Sequence, residues 1–188
     1  MAGDFGIART WAHEMLLGAL SNGSRAVDAT MCNGQDTLFL CSLVGERGKV
    51  YAFDVQSQAL ENTKKRLEAE RMASRAELIL DGHENMAAYV GSGVEAVMFN
   101  LGWLPGGDKS RTTHVETTLK AVNAALSLLN HTGLLTICVY PGHDEGEKER
   151  TALTEWGSGL DASKYDVMIK RYLNQPNDPP VLIAVRKR

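Results

Sequence analysis

The chain has 188 residues with a formal net charge of −3, and 44% of its residues are hydrophobic. This length supports one domain with a sizeable core, so we expect a single domain over residues 1–188. No apolar run reaches the roughly 18–20 residues that span a bilayer, and the N-terminus has no signal-peptide pattern. We therefore expect a cytoplasmic protein without membrane contact.

Cysteine, histidine and basic residues exclude some classes of site. The three cysteines form no CxxC pair and the five histidines have no ligand spacing, which indicates reduced thiols and no metal site. The negative net charge argues against a general phosphate-binding protein but does not exclude RNA, because local basic clusters matter more than the sum. Such clusters occur at 64–66, 109–111, 170–171 and 186–188, and a solvated face is the simpler interpretation of each.

Strand-like and helix-like segments alternate along the first 160 residues. Strands are predicted at Arg25–Ala29, Lys49–Phe53, Ala76–Leu80, Val94–Phe99 and Leu134–Tyr140. Helices are predicted at Ile7–Leu20, from the first turn to Val44, and at Ser57–Met72, His83–Val90, Ser110–Leu129 and Glu145–Leu160.

The last part of the chain differs, because Tyr165–Leu173 and Val181–Val185 are strand-like with no room for a helix between them. A parallel pair needs a crossover of about a dozen residues or more, so these two strands must be antiparallel. We expect an α/β fold: a Rossmann-like, mostly parallel seven-stranded sheet with one antiparallel strand and helices on both faces.

The turn after the first strand, Asp28 to Thr37, is rich in small polar and acidic side chains. It lacks the G-x-G-x-x-G pattern that lets a backbone approach a pyrophosphate. Its acidic groups would favour a ligand with a cationic amino-acid end, and S-adenosylmethionine (SAM) is such a ligand. A nicotinamide dehydrogenase is a distant alternative.

Polar residues also follow the second and third strands. Asp54 has the position of a carboxylate that accepts hydrogen bonds from two ribose hydroxyls, the alternative being a cap on the next helix. Asp81, Gly82 and His83 would lie beside an adenine, although Asp-Gly alone is also a common turn.

Asn100 to Lys109 is the second diagnostic stretch. The Asn100 side-chain oxygen and a following backbone carbonyl can accept N–H bonds from a target amine and aim its lone pair at a methyl group. Trp103 can stack on a base, worth roughly 1–3 kcal/mol, unless it belongs to the core.

These stretches together resemble the YtqB-like "putative rRNA methylase" family of class I methyltransferases. The resemblance rests on Asp28–Thr37, Phe53–Gln56, Phe99–Lys109, Tyr140–His143 with Gly146, and Asn174–Asn177 with Pro179 and Pro180. It implies an MnmM-type activity: methylation by SAM of the aminomethyl nitrogen of 5-aminomethyl-2-thiouridine at the tRNA wobble position. The partner is then tRNA, bound at its anticodon region, and the N-terminal helix with Trp11 leaves a homodimer open.

The resemblance and the strand-end positions together assign residue roles. The cofactor-binding set is Asp28, Thr30, Asn33, Gly34, Gln35, Asp36, Thr37, Asp54, Gln56, Asp81, Gly82, His83 and Asn100. The catalytic set is Asn100, Trp103 and Asp108, with Asp108 as a proton acceptor. The substrate-binding set is Gly102, Trp103, Gly106, Gly107, Lys109, Arg111, Tyr140, His143, Asn174 and Asn177.

Two residues depart from the family pattern. Cys32 replaces a glycine, which narrows the turn and could weaken cofactor binding, and Gln35 replaces a frequent histidine. Methylation of rRNA or of a small-molecule amine stays open as an alternative, and so does a SAM-binding module without catalysis.

Overall fold

The computed structural model describes residues 5–102 and 112–188. Within them one sheet of seven strands has the order β3-β2-β1-β4-β5-β7-β6. The strands are β1 Arg25–Asp28, β2 Lys49–Asp54, β3 Ala76–Leu80, β4 Val94–Asn100, β5 Leu129–Val139, β6 Tyr165–Lys170 and β7 Val181–Lys187. The first five run parallel, and β7 pairs antiparallel with both β5 and β6. The predicted sheet with one reversed strand is confirmed.

Helices cover both faces of the sheet. They are α1 Ala8–Leu17, α2 Gln35–Val44, α3 Ser57–Ala69, α4 Val115–Leu128 and α5 Asp144–Ser158, with 3₁₀ helices at Ala73–Arg75 and His83–Ala88. On one face α1, α2 and α3 pack on the strands, and on the other lie α4 and α5. Because both faces of the central strands are covered, β4 and β7 are almost continuously buried, whereas β6 at the edge of the sheet is mostly exposed.

Neighbouring strand residues alternate between the two cores. Val27 and Phe99 point into the core under α4 and α5, whereas Ala26 and Met98 point into the core under α1 and α2. The helix α1 joins this second core through Trp11 and Leu16, which are 3% and 0% exposed. This helix therefore covers the sheet of its own chain, which removes the argument for a homodimer that its apolar face had suggested.

Some predicted boundaries are wrong. The helix α1 ends at Leu17, before Gly18, a residue with low helix propensity. The helix α3 ends at Ala69, and Arg71 then has a φ of 58°. The first helical residue of α4 is Val115, because His114 is extended and Thr113 bonds back to Gly102.

Residues 130–133, which fall between the predicted helix Ser110–Leu129 and the predicted strand Leu134–Tyr140, lie inside β5. Leu129 pairs with Val94 and Leu134 with Ala96, so the register shifts between these pairs. Thr132 has a φ of 67° in this irregular stretch. The strand β6 ends at Lys170, three residues earlier than predicted, because backbone pairing with β7 stops at the Lys170–Leu182 pair.

No helix in the described part of the chain is long and apolar enough to cross a membrane. In the same residues no group of three His, Cys, Asp or Glu side chains is arranged to hold a metal ion.

Candidate active site

Two clefts open at the carboxyl ends of the parallel strands. Cleft A, about 400 Å³, lies beyond the ends of β1, β2 and β3, and cleft B, about 380 Å³, lies between the first turn, α1 and the end of β5. Both clefts are lined by Cys32, Asn100 and Gly102. The strand order reverses between β1 and β4, and α/β sheets bind ligands at such a switch point. The two clefts can therefore hold two parts of one reaction.

The first turn is built on a strained residue. The Gly34 N–H bonds to the Met31 carbonyl at 2.7 Å, which closes a turn with Cys32 as its first central residue. Cys32 has a φ of 47°, and a positive φ at this position of a turn favours glycine. The predicted departure from the family pattern thus falls on a residue whose backbone conformation suits glycine.

Asp28 organises this turn from inside. Its carboxylate is fully buried and accepts hydrogen bonds from the Thr30 N–H at 3.1 Å and the Thr37 hydroxyl at 2.6 Å. Burial, reinforced by the nearby charge of Asp36, raises its pKa to about 7. Asp28 is not among the residues that line the two clefts, and its contacts are those of a scaffold for the turn.

Asp36 connects α1 to the end of β4. Its Oδ1 lies 2.7 Å from Nε of Arg9 and 2.7 Å from Nε2 of His13, and its Oδ2 accepts from Nδ2 of Asn100 at 3.1 Å. Burial alone would raise the pKa of this carboxyl, but the hydrogen bond from His13 and the charge of Arg9 hold the pKa below its usual value. Asp36 is therefore an ionised group that only accepts hydrogen bonds.

Asn100 is fixed at both its backbone and its side chain. Its backbone N–H bonds to the Thr30 hydroxyl at 2.7 Å, and its Nδ2 bonds to Asp36. Its Oδ1 is shielded from solvent and has no hydrogen-bond partner among the described residues. An unpaired buried acceptor costs about 1–3 kcal/mol, and it is an oriented acceptor for an N–H group in a residue that lines both clefts.

Cleft A contains the predicted cofactor-binding residues of the second and third strand ends. Asp54 accepts from the backbone N–H groups of Cys32 at 3.1 Å and Gln56 at 2.9 Å, and burial raises its pKa. The helix α3 has Gln56 as its N-cap without a side-chain cap, so Asp54 does not cap that helix. Asp54 ties the first turn to the loop after β2.

Asp81 and His83 also line cleft A. Asp81 accepts from Nδ2 of Asn85 and the hydroxyl of Tyr89, and these bonds lower its pKa. His83 is buried, which lowers its pKa, and its Nδ1 lies 3.2 Å from the Ala29 carbonyl. Because a carbonyl only accepts, Nδ1 carries the proton of a neutral ring and Nε2 is an acceptor nitrogen.

Tyr140 and His143, which follow β5, form part of the wall of cleft B. Burial raises the pKa of Tyr140 to about 12, so its hydroxyl stays protonated. Nδ1 of His143 accepts from the Gly146 N–H at 3.1 Å and caps the start of α5. A Cβ at Gly146 would lie 1.9 Å from the Tyr140 carbonyl, so only glycine allows this close packing.

Gly102 and Thr113 form a doubly bonded pair. The Thr113 N–H donates to the Gly102 carbonyl, and the Gly102 N–H donates to the Thr113 hydroxyl, both at 3.1 Å. The same hydroxyl donates to Glu149 at 2.9 Å, and Thr118 donates to the other oxygen of Glu149. Burial raises the pKa of Glu149. This carboxyl on α5 thereby positions the backbone beside Asn100.

The structure brings together most of the predicted site residues. Those that line a cleft are Thr30, Asn33, Gln35, Asp36, Asp54, Gln56, Asp81, Gly82, His83, Asn100, Gly102, Tyr140 and His143. Gly34 and Thr37 line neither cleft, but they bond to Met31 and Asp28 and so stabilise the first turn. Asn174 and Asn177 are exposed and lie outside both clefts. Outside the described residues lie Trp103, Gly106, Gly107, Asp108, Lys109 and Arg111.

Sequence reasoning missed Arg9 and His13. They precede the first strand, where a nucleotide-type fold gives no reason to look for site residues, but they are four positions apart and so share one face of α1. It also missed Thr113 and Glu149, which no motif contains. The i, i+4 spacing of two basic residues on α1 is the one signal that could have found the first pair.

A family described as "Putative rRNA methylase" matches residues 50–186 of this chain. The chain belongs to this family. A chloroplastic tRNA (mnm(5)s(2)U34)-methyltransferase from Arabidopsis thaliana is 37% identical over 187 residues, which cover 94% of this chain and 68% of that protein. The resemblance inferred from the sequence motifs is therefore confirmed, and this methylase is a methyltransferase by fold and by family.

Solved structures agree with this assignment. A "putative rRNA-methylase" from Clostridium thermocellum is 41% identical with a TM-score of 0.97, covering 99% of this chain and 100% of that one. A "putative methyltransferase" from Streptococcus mutans, solved in complex with S-adenosylhomocysteine (SAH), is 39% identical with a TM-score of 0.90, covering 98% of this chain and 100% of that one. The predicted class I methyltransferase fold is thus confirmed over nearly the whole chain.

Proposed function

We propose that this methylase transfers the methyl group of SAM to the aminomethyl nitrogen of 5-aminomethyl-2-thiouridine at the wobble position of tRNA. The observation that carries this proposal is the buried Oδ1 of Asn100, which has no hydrogen-bond partner among the described residues and belongs to a residue that lines both clefts. An amine is a hydrogen-bond donor that satisfies this oxygen. The name of the Arabidopsis relative supports the same target.

SAM fits the chemistry of the clefts. Its adenosine part occupies cleft A, where Asp54 accepts from the ribose hydroxyls and Asp81, Gln56 and His83 lie near the adenine. Its methionine part passes the first turn, where the charges of Asp36 and Asp54 both act on Asp28. This concentration of carboxyl groups favours the sulfonium and ammonium of the donor over a pyrophosphate.

The reaction is a direct displacement. The lone pair of the neutral amine attacks the methyl carbon, the bond from carbon to sulfur breaks, and its electron pair stays on sulfur to give SAH. The new methylammonium then releases a proton. Proximity and orientation are worth up to roughly 7–11 kcal/mol in such a step, so the main task of the protein is to hold both reactants.

Asn100 orients the nucleophile by accepting one of its N–H bonds. A second acceptor is expected from a backbone carbonyl that follows. The Gly102 carbonyl already accepts from the Thr113 N–H, which favours the Leu101 carbonyl for this role. With two N–H bonds directed into the protein, the lone pair of the nitrogen points at the methyl group.

Further roles rest on the sequence. Trp103 stacks on the uracil ring, Asp108 takes the proton, and Gly106 and Gly107 complete the pocket. The tRNA phosphates bind Lys109 and Arg111, while Asn174 and Asn177 flank the anticodon region. A cytoplasmic location stays a prediction, since the Arabidopsis relative is chloroplastic. A homodimer also stays a prediction.

The deciding experiment is mass spectrometry of nucleosides from tRNA of cells that lack this methylation. Incubation with the protein and SAM is expected to convert 5-aminomethyl-2-thiouridine into its N-methyl product. Asn100→Ala is expected to lower turnover about 10- to 100-fold, because it removes the oriented acceptor. Unchanged turnover in this variant would contradict the proposal.

The same assay separates the alternatives. Total rRNA and small primary amines are offered in parallel with the tRNA, and transfer to one of these alone refutes the tRNA target. Calorimetry with SAM tests the remaining alternative, a SAM-binding module without catalysis. Binding of SAM without methyl transfer to any acceptor would indicate such a module.

A further inference from the structure

We propose that Arg9 and His13 are positioning residues: acting through Asp36, they set the direction of the Asn100 amide and thereby select a methyl acceptor that donates a hydrogen bond. This inference rests on the proposed function, because it concerns how the same site distinguishes its acceptor.

Arg9 and His13 each make a second contact, in addition to the one with Asp36, that holds the side chain in place. Arg9 donates from Nε to Asp36 and from a second guanidinium nitrogen to Oε1 of Gln35, each at 2.7 Å. The His13 ring stacks on Phe39 of α2 with 3.8 Å between ring centroids and 6° between the planes. The two donors are one helical turn apart and converge on Oδ1 of Asp36.

This convergence leaves Oδ2 of Asp36 for Asn100. An ionised carboxylate has no hydrogen to donate, so it accepts only from the NH₂ end of the Asn100 amide. The 3.1 Å bond from Nδ2 therefore directs Oδ1 away from Asp36. A neutral acid at this position could donate to Oδ1 and permit the reversed amide, which would place the NH₂ group where Oδ1 now lies.

The direction of one amide thus determines which acceptors fit. When Oδ1 accepts from the methyl acceptor, a primary amine gains a hydrogen bond, and a nitrogen without hydrogen leaves this buried oxygen unpaired. Sites built to hydrogen-bond a donor reject analogues that lack it, because the buried polar group is then unsatisfied. Specificity for an N–H nucleophile therefore depends on α1, which lies outside the nucleotide-type core of the fold.

A double-mutant cycle tests this proposal. Single-turnover methyl transfer to tRNA carrying 5-aminomethyl-2-thiouridine is measured for wild type, His13→Ala, Asn100→Ala and the double variant. His13→Ala is expected to lower the rate about tenfold in wild type but by less than about twofold in the Asn100→Ala background. Equal losses in both backgrounds would overturn the proposal.

Two further variants separate positioning from folding. His13→Gln places an amide nitrogen near the position of Nε2 and is expected to recover most of the rate. Glu14→Ala changes an exposed residue of the same helix and is expected to match wild type. The affinity for SAH, measured by calorimetry, should be the same in wild type, His13→Ala, His13→Gln and Glu14→Ala. A loss of SAH affinity in His13→Ala that parallels its loss of rate overturns the proposal.

The exchange of the Asn100 side-chain NH₂ with water, measured by NMR, tests the proposal without the tRNA target. In wild type the side-chain NH₂ of Asn100, assigned by its disappearance in Asn100→Ala, is expected to exchange slowly with water because it bonds to Asp36. In an Arg9→Ala, His13→Ala double variant this protection is expected to be lost. Wild type that fails to methylate the tRNA refutes the proposed function, whereas retained protection in the double variant refutes the positioning role.

Discussion

The Thr37 hydroxyl lies 2.6 Å from Oδ2 of Asp28, and both residues are fully buried. This contact joins the end of β1 to the first turn of the next helix. With the Thr30 N–H on its other oxygen, Asp28 shapes the loop that faces the ligand without lining a cleft. Its acidity is therefore expected to affect stability more than catalysis.

Asp28→Asn is expected to make the protein more stable at neutral pH relative to wild type. The pKa of Asp28 is raised from 3.8 to about 7 in the folded state, so its contribution to stability is present at low pH and is lost as the pH rises through 7. Between pH 5 and pH 8 the free energy of unfolding of wild type should fall by about 2–3 kcal/mol relative to the variant. Urea titrations at several pH values measure this difference.

Glu77→Gln is the control for that comparison, since Glu77 is exposed on β3. This variant keeps Asp28, so relative to Asp28→Asn it should show the same loss of stability between pH 5 and pH 8 as wild type. A constant difference between wild type and Asp28→Asn would show that Asp28 is not buried as described.

Cys32→Gly is expected to stabilise the first turn relative to Cys32→Ala. Both variants remove the thiol, but only glycine adopts a φ of 47° without strain, a difference of about 1 kcal/mol. The glycine variant also widens the junction of the two clefts, so we expect it to bind SAM more tightly. Thermal unfolding and calorimetry measure the two effects, and weaker SAM binding by Cys32→Gly would contradict the second.

Gly34→Ala is expected to cost about 3 kcal/mol or more in the free energy of unfolding. Gly34 has a φ of 74°, and a Cβ there would lie 2.8 Å from the Thr63 Cα on α3. Gly23 provides the matched control, because its φ is 99° but nothing lies within 4 Å of an added Cβ. Gly23→Ala should cost only the backbone strain, about 1 kcal/mol, and equal losses in the two variants would refute the close contact with α3.

Thr113→Val is expected to reduce methyl transfer more than its loss of stability explains. The change removes the hydroxyl that accepts from the Gly102 N–H and donates to Glu149. Thr118→Val also removes one hydrogen bond to Glu149, but Thr118 lines neither cleft. Both should lose about 1–3 kcal/mol in urea titrations, and only Thr113→Val should transfer methyl slowly at 25 °C.

If Thr118→Val were equally slow, Glu149 would act on the whole helix pair α4 and α5 and not on Gly102. Calorimetry with SAH provides the accompanying measurement, because unchanged affinity in Thr113→Val would place its defect on the side of the methyl acceptor.

Much of the site could be predicted because strand ends are visible in a sequence. An apolar run that stops at Asp54, Asp81 or Asn100 places that residue at one edge of a parallel sheet, whichever helices follow. The boundaries at Val115 and Leu129 could not be predicted in this way. They depend on the Gly102–Thr113 pair and on the Val94–Leu129 pairing, which join residues distant in the chain.

By itself, the sequence determined the order of the strands' polar ends, the reversed last strand and the family, since local periodicity and short motifs encode all three. Only the tertiary structure decided which way the Asn100 amide points and that Cys32 has a left-handed backbone. The first depends on Arg9 and His13, which reach Asp36 from a helix 23 or more residues away. The i, i+4 spacing of Arg9 and His13 places them on one helix face but does not name Asp36 as their partner, so these hydrogen bonds become visible only when the chain is folded.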